Sequence, residues 1–522
     1  MIYKFPQLTI HKPLDGRELI MKKNIIYYFT LLVFFSYHHN AIAQSQAQVQ
    51  NKALVLNKAT QKQLKEYESF FKENHKRHIN DLVELIAIPT MSMKPENKPE
   101  LKKAANLLKG MLDTIGMENA EVHFTNELPV VTASYTQNKS QPTILFYGHF
   151  DVQPVAKERW KSDPFSAEIR DERLYGRGAT DDKGPIIALI SAIEGLIKVD
   201  GKLPVNIKLL LDGGEEMGSP HLPIWLASNQ EWLNDIDYGI NVDAMMKDDN
   251  QGLMWKGLRG AADLEVTITS ANTDLHSGIY GGVAPNAALA ASKVIASLWN
   301  DDGSIAIKGF YNGLKQYSEK EREEIAAVVD PNQETEDLKK FGIEQWIGEK
   351  EYSFYERPWI RTSVDITGFK AGYIQGKASI IPHTAWFRML ARTGPDHDPK
   401  EVLEMLKKHV KDSLPWGLKV GFKESVMGTA PVFDENDLGF RIGKQVLTDF
   451  FGTPPIIVYI GGSVPALSSV PDGGGPNLVS IGFQRSDENF HADNEYMRID
   501  SFKKGQRIYM DLLHAFVDQL NE

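Results

Sequence analysis

The sequence predicts an α/β protein: a layered domain on a largely parallel sheet, interrupted by an inserted second domain. Three observations carry this. Short apolar runs of buried-strand type alternate with segments of helical periodicity over residues 143–242. After about residue 256 the texture changes to alternating strands, an Ala-rich helix and a charged helical stretch. A short apolar run of the first kind returns at 478–481, so the first domain is expected to resume near 434.

Bulk properties narrow the class. With 522 residues, 42% of them hydrophobic, the chain can bury a large core and divide into two or more lobes. A net charge of −11 without a basic stripe argues against nucleic acid or anionic lipid as a partner. There is no cysteine. That excludes disulfides, thiol nucleophiles and thiolate metal sites. Any metal must be held by oxygen and imidazole, which suits zinc, manganese or cobalt.

In chain order, residues 1–20 fit no targeting pattern, which makes Met21 an alternative start. Residues 21–43 read as a signal peptide: Met21-Lys22-Lys23, an apolar stretch from Ile25 to Phe35, then Ala41-Ile42-Ala43 before Gln44. The apolar stretch is shorter than the roughly 20 residues that span a bilayer. The expectation is an exported protein, periplasmic or secreted, with no membrane association after cleavage. An amphipathic helix follows at 64–87 and ends at Ile88-Pro89. Residues 143–147, 205–211, 238–242 and 478–481 read as strands, and 185–199 as a helix between them. The second domain, 257–433, opens with the alternating strand 263–269 and continues with a helix at 285–299. A charged helical stretch at 318–350 and strands near 362–392 complete it. The first domain, begun at 64–256, closes with 434–522.

The candidate chemistry sits just after the apolar runs. His149 and Asp151 follow 143–147, Glu215 and Glu216 follow 205–211 across Gly213-Gly214, and Asp243 follows 238–242. His491 lies a loop beyond 478–483, and Asp181 lies in a glycine-rich turn leading into the helix at 185. Ligands of open α/β sheets collect at the carboxyl ends of strands, so these separated residues can converge. Each alone is weak: Gly-His-X-Asp is usually a turn with a surface histidine, and a Glu pair is usually a solvated helix start. The ordered set at successive strand ends is far harder to obtain by chance.

The motifs Gly-His-Phe-Asp-Val-Gln-Pro (148–154), Tyr-Gly-Arg-Gly-Ala-Thr-Asp-Asp-Lys-Gly (175–184) and Gly-Glu-Glu-Met-Gly-Ser (214–219) resemble those of the M20 metallopeptidases. Asp-Leu-His-Ser-Gly-Ile-Tyr-Gly-Gly (274–282) and His-Ala-Asp-Asn-Glu (491–495) do too, and the carnosinase-like, cytosolic nonspecific dipeptidase branch is the nearest in pattern. The resemblance spans residues 75–520. It implies a mixed-sheet three-layer catalytic domain with an inserted α+β dimerisation (lid) domain. It implies two divalent metal ions, zinc ahead of manganese or cobalt, bridged by Asp181. His149 and Asp243 would complete one site, Glu216 and His491 the other. Glu215 would be the general base, Asp151 would orient His149, and the Asp181–Asp182 peptide would be cis. His276 would act across a homodimer on the partner's substrate, with the helix at 285–299 and its adjoining strand at the interface. The stretch 381–399 resembles the family's carboxylate-clamp segment, which makes Arg392 the clamp. Gly461 to Pro465 resembles a substrate loop, with Gly462 and Ser463 as contacts. The branch carries a histidine near 427–431 that this chain lacks.

The implied function is hydrolysis of dipeptides or short peptides with a free C-terminal carboxylate. The alternative is an N-acyl-amino-acid deacylase or desuccinylase with the same metal site. A non-catalytic binding protein of this fold would have lost a ligand or the base, and all six positions are present.

Overall fold

Seven consecutive residues with no exposed side chain, Thr143–His149, can only be a strand covered on both faces, and this one lies inside the larger sheet. The computed structural model describes residues 58–373 and 376–520. The segment expected as a signal peptide, 21–43, lies outside them. Residues 73–522 form one unit; of the unit Met1–Lys72, the described part belongs to the helix Lys58–Ile86, which the sequence places at 64–87.

The larger sheet has six strands in the order Glu118–Thr125, Leu128–Tyr135, Asn206–Asp212, Thr143–His149, Tyr238–Asn241, Leu478–Ser480. The last four run parallel, and the first two form an antiparallel hairpin at one edge, so the sheet is mixed. Asn126 and Glu127 both have positive φ and join that hairpin as a two-residue turn. Neighbouring residues on a strand face opposite ways, which identifies the flanking layers. Phe124 lies under Lys102 of the helix Lys98–Ile115, whereas His123 stacks on Trp225 of the helix Leu222–Ser228. The helix Lys183–Asp200 is apolar on nearly all sides, because it is packed on the terminal helix Ile499–Leu520 as well as on the central strand. The result is three layers.

Residues 260–428 build a second, wholly antiparallel sheet in the order Ser363–Ala371, Thr384–Thr393, Gly260–Thr269, Lys419–Gly428. The helices Ala287–Ala296 and Pro399–Ser413 cover one face, where Leu264, Val266, Phe387, Met389, Val402 and Leu406 form the core. The Ala-rich helix is shorter than the expected 285–299, because the Asn286 side chain caps it by accepting from the N–H groups of Ala288 and Leu289. The charged stretch 318–350 divides into two helices, Glu319–Ala327 and Gln333–Phe341. Pro331 interrupts it, and Gly342 in the left-handed region ends the second helix.

Candidate active site

The four parallel strands end on one edge of the sheet, and the chemistry gathers there. His149 is the last residue of its strand, and Asp243 stands two positions after Tyr238–Asn241. Glu215 and Glu216 open a 3₁₀ turn that follows Asn206–Asp212. Asp181 precedes the helix Lys183–Asp200, whose second residue, Gly184, leaves no room for a side chain: a Cβ would lie 2.1 Å from the Ala179 carbonyl. His491 arrives on the loop after Leu478–Ser480. The Asp181–Asp182 peptide is cis, and Asp182 accepts a hydrogen bond from the His149 N–H at 3.1 Å.

Asp181 is the centre of this arrangement. One carboxylate oxygen lies 3.0 Å from Nε2 of His149, and the other lies 3.0 Å from Nε2 of His491. Asp243 Oδ2 is 3.8 Å from His149 Nε2, and Glu216 Oε2 is 3.1 Å from His491 Nε2. Two candidate ligand groups result, His149–Asp181–Asp243 and Asp181–Glu216–His491, each with its atoms within 4.8 Å of one another. They share Asp181.

The electrostatics show which charge the cluster favours. Burial, reinforced by Asp181, pushes the Asp243 carboxyl up to about 6. Burial also holds Glu215 well above the usual carboxylate range, with Glu216, Asp243 and Asp151 adding to it. At His491 burial works against the charged ring, but hydrogen bonds to Asp181 and Glu216 prevail and push it up to about 11. Burial likewise opposes ionisation of Asp181, yet the two histidines outweigh it and draw its carboxyl down. Crowded buried carboxylates need positive charge, which protons on imidazole supply poorly and divalent cations supply well. Three carboxylates and two imidazoles without thiolate form a donor set that zinc, manganese or cobalt accepts.

Asp151 does more than face His149. Its backbone carbonyl is 3.2 Å and its carboxylate 3.5 Å from Nδ1 of His149. The same carboxylate accepts from the N–H groups of Glu215 and Glu216 at 3.0 and 3.1 Å, and from Ser92 Oγ at 2.6 Å. It therefore ties the histidine strand end to the turn that carries both glutamates. Other supports escape sequence reasoning. Gln153 donates to Glu216 Oε2 at 2.7 Å, Gln484 donates to Asp243 Oδ1 at 2.7 Å, and Glu495 accepts from the Asp181 N–H at 3.2 Å. Gln153 and Glu495 sit inside the quoted motifs, so proximity was their signal; Ser92 offered none.

A cavity of about 300 Å³ opens beside this cluster. Strand-end residues Gln153, Glu215, Glu216 and His491 line it, together with Ala261, Arg388, Leu390, Arg392 and Met427 of the second sheet and Ser463 and Pro465 of the loop after Ile456–Ile460. Arg392 and Arg388 share a strand face, but their surroundings differ. Arg388 is committed to a forked ion pair with Asp263, whereas Arg392 donates to neutral Ser463 Oγ at 2.9 Å. Gly462 stands behind the cavity, where its carbonyl accepts from the Arg259 N–H at 3.2 Å. His276 does not line the cavity of its own chain. It is exposed, and its Nδ1 accepts from the Gly278 N–H at 3.0 Å.

Comparison with known proteins matches residues 145–515 to peptidase family M20/M25/M40. The chain is 26% identical to the Cys-Gly metallodipeptidase dug1 of Schizosaccharomyces pombe, over 84% of this chain and 94% of that one. It is 25% identical to the Beta-Ala-His dipeptidase of Rattus norvegicus, covering 83% and 91% of the two chains. Its fold resembles the solved structure of the di-peptidase Dug1p from Saccharomyces cerevisiae, with a TM-score of 0.77 at 23% identity, covering 87% of this chain and 98% of that one. These matches overturn the expectation of export, which the Cys-Gly metallodipeptidases among the relatives do not support. The pattern at 21–43 is basic then apolar, and hydrophobicity of that kind does not by itself specify an address. On its fold, its strand-end cluster and this match, the chain belongs to peptidase family M20/M25/M40 and is a hydrolase of that family.

Proposed function

We propose that this chain is a two-metal dipeptidase acting on dipeptides with a free C-terminal carboxylate. The observation that carries the proposal is the Asp181 carboxylate, with one oxygen facing each histidine at 3.0 Å. His149, Asp181 and Asp243 would hold one ion, and Asp181, Glu216 and His491 the other. When bound, the ions, zinc foremost, supply Lewis acidity and a water acidified from about 15.7 toward roughly 7. Glu215 belongs to neither ligand group. Its backbone is fixed by Asp151, and its carboxylate takes the proton of the attacking water and returns it to the departing amine. The names of the relatives, a Cys-Gly metallodipeptidase and a Beta-Ala-His dipeptidase, support the substrate class.

The test is metal depletion followed by reconstitution. Depleted protein is expected to be inactive, and two equivalents of zinc, manganese or cobalt per chain should restore dipeptide cleavage. Turnover confined to N-acyl amino acids would sink the dipeptidase reading.

Arg392 is the carboxylate clamp in this reading, assisted by Ser463, with Gly462 shaping the loop behind. A charge-assisted hydrogen bond contributes about 1.5–3 kcal/mol. Arg392→Met is therefore expected to raise KM for Ala-Leu by about 10- to 100-fold, with a smaller change in kcat. A C-terminally amidated dipeptide should be a poor substrate for the native protein. Unchanged KM in the variant would remove Arg392 from the clamp.

Residues 64–256 and 434–522 would then be the catalytic domain and 257–433 the lid, through which two chains associate. An apolar patch supports this: Ile279 is 68% and Val283 78% exposed, with Leu289 of the helix Ala287–Ala296 nearby in sequence. His276, at the edge of that patch, would reach the partner's cavity and stabilise developing oxyanion charge. Light scattering at micromolar concentration should report a dimer, and a fully active monomer would refute both the interface and the role of His276.

A further inference from the structure

Resting on the dipeptidase reading, we infer that the cavity selects substrates with an uncharged, medium-sized apolar side chain on the C-terminal residue, and that Met427 and Ala261 set this preference. The register of the second sheet carries the inference. Arg392 pairs directly with Ala261, and Ala261 pairs on its other side with Gly428. Strands lie about 4.8 Å apart, so the row from the clamp to the edge strand spans roughly 10 Å. A β-bulge between Val426 and Gly428 leaves Met427 as the extra residue in that row, and bulges re-aim the side chains they carry. Here the side chain meets the catalytic turn. Cγ and Sδ of Met427 would each lie 3.2 Å from a Cβ built at Gly218, whose φ of 92° already favours glycine.

The row therefore has a cation at one end, a methyl-sized floor in the middle and a thioether wall at the other. Leu390, two positions from Arg392 on the same strand face, closes the side. A residue whose carboxylate sits on Arg392 must lay its side chain over Ala261 toward Met427 and Leu390. Among the described residues lining the cavity, the one charge outside the clamp and the catalytic cluster is Arg388, and Asp263 engages it. An apolar side chain loses nothing on entry, whereas a charged one loses its hydration without a partner. Methionine also adapts to several apolar shapes.

The experiment measures kcat/KM for Ala-Leu, Ala-Gly and Ala-Lys with the zinc-loaded protein and two variants. The native protein should favour Ala-Leu over Ala-Lys at least tenfold, in line with the discrimination an apolar pocket achieves. Met427→Gln, which keeps the length of the side chain, should narrow that ratio at least threefold. Ala261→Val, which raises the floor, should lower the ratio of Ala-Leu to Ala-Gly by a similar factor. Equal use of Ala-Lys, or ratios unmoved in both variants, would overturn the inference. Binding of free leucine and free lysine, measured by titration calorimetry, reads the same subsite without turnover, and leucine should bind more tightly. If the protein cleaves only N-acetylated amino acids, the dipeptidase reading fails while a preference for N-acetyl-leucine over N-acetyl-lysine upholds the subsite. Lysine bound as tightly as leucine overturns the subsite whichever substrate is cleaved.

Discussion

Replacing Glu215 with glutamine is expected to lower kcat by about 10³-fold while both metal equivalents stay bound. Glutamine has the shape of glutamate but cannot accept a proton at neutral pH, so only the proton-transfer role is removed. The geometry separates that role from metal binding. Glu215 stands outside both ligand groups, whereas its neighbour Glu216 belongs to one of them. The two are aimed differently although adjacent, because a tight 3₁₀ turn, Glu215–Met217, carries them and Asp151 accepts from both of their N–H groups. Burial among other carboxylates raises the proton affinity of Glu215, which suits a group that must take a proton and then return it. The check is a steady-state assay beside elemental analysis of the same preparation. A Glu215→Gln variant within tenfold of native kcat would end its assignment as the base. Loss of metal would move it into the ligand set.

The ligand cluster was legible in the sequence because its signal is local. A buried parallel strand reads as an uninterrupted apolar run, and the ligand stands at the end of that run, as at Tyr147-Gly148-His149 and Ile240-Asn241-Val242-Asp243. Where structure depends on distant pairing, the sequence was silent. The edge hairpin Glu118–Tyr135 is hard to read because the exposed and covered positions of Glu118–Thr125 follow no clean alternation. The strand Lys419–Gly428 was missed for the same reason, and with it the bulge that aims Met427. Arg388 and Arg392 look alike in sequence. Only the register that sets Asp263 against Leu390, beside Arg388, shows which guanidinium is already engaged. The supports of the cluster, Ser92 on Asp151 and Gln484 on Asp243, are 59 and 241 positions from their partners. No periodicity reports a contact of that kind.

Replacing Asp181 with alanine is expected to empty both metal sites and to abolish turnover, a loss of more than about 10⁴-fold. The expectation follows from its place in both ligand groups, whereas each other ligand belongs to one. Glu216→Ala or Asp243→Ala should each weaken one ion and leave the other in place, so metal content per chain should fall from two toward one. Asp181→Asn is the sharper variant. It keeps the shape but has a single acceptor oxygen and no charge, so it can face one histidine and not both. It should hold at most one ion. Thermal unfolding gives an independent readout, because a ligand at 100 times its Kd stabilises the folded protein by about 2.7 kcal/mol. Native protein should melt higher with added zinc, Asp243→Ala should respond less, and Asp181→Ala should not respond. An Asp181→Ala protein that still carries two ions would show that the two groups do not depend on a shared carboxylate, and the bridged centre would have to be abandoned. Failure of the response in Asp243→Ala alone would instead mean that the sites fill in order, with the His149 site first. The two outcomes separate a bridge from a sequence of filling, a distinction that loss of activity alone cannot make.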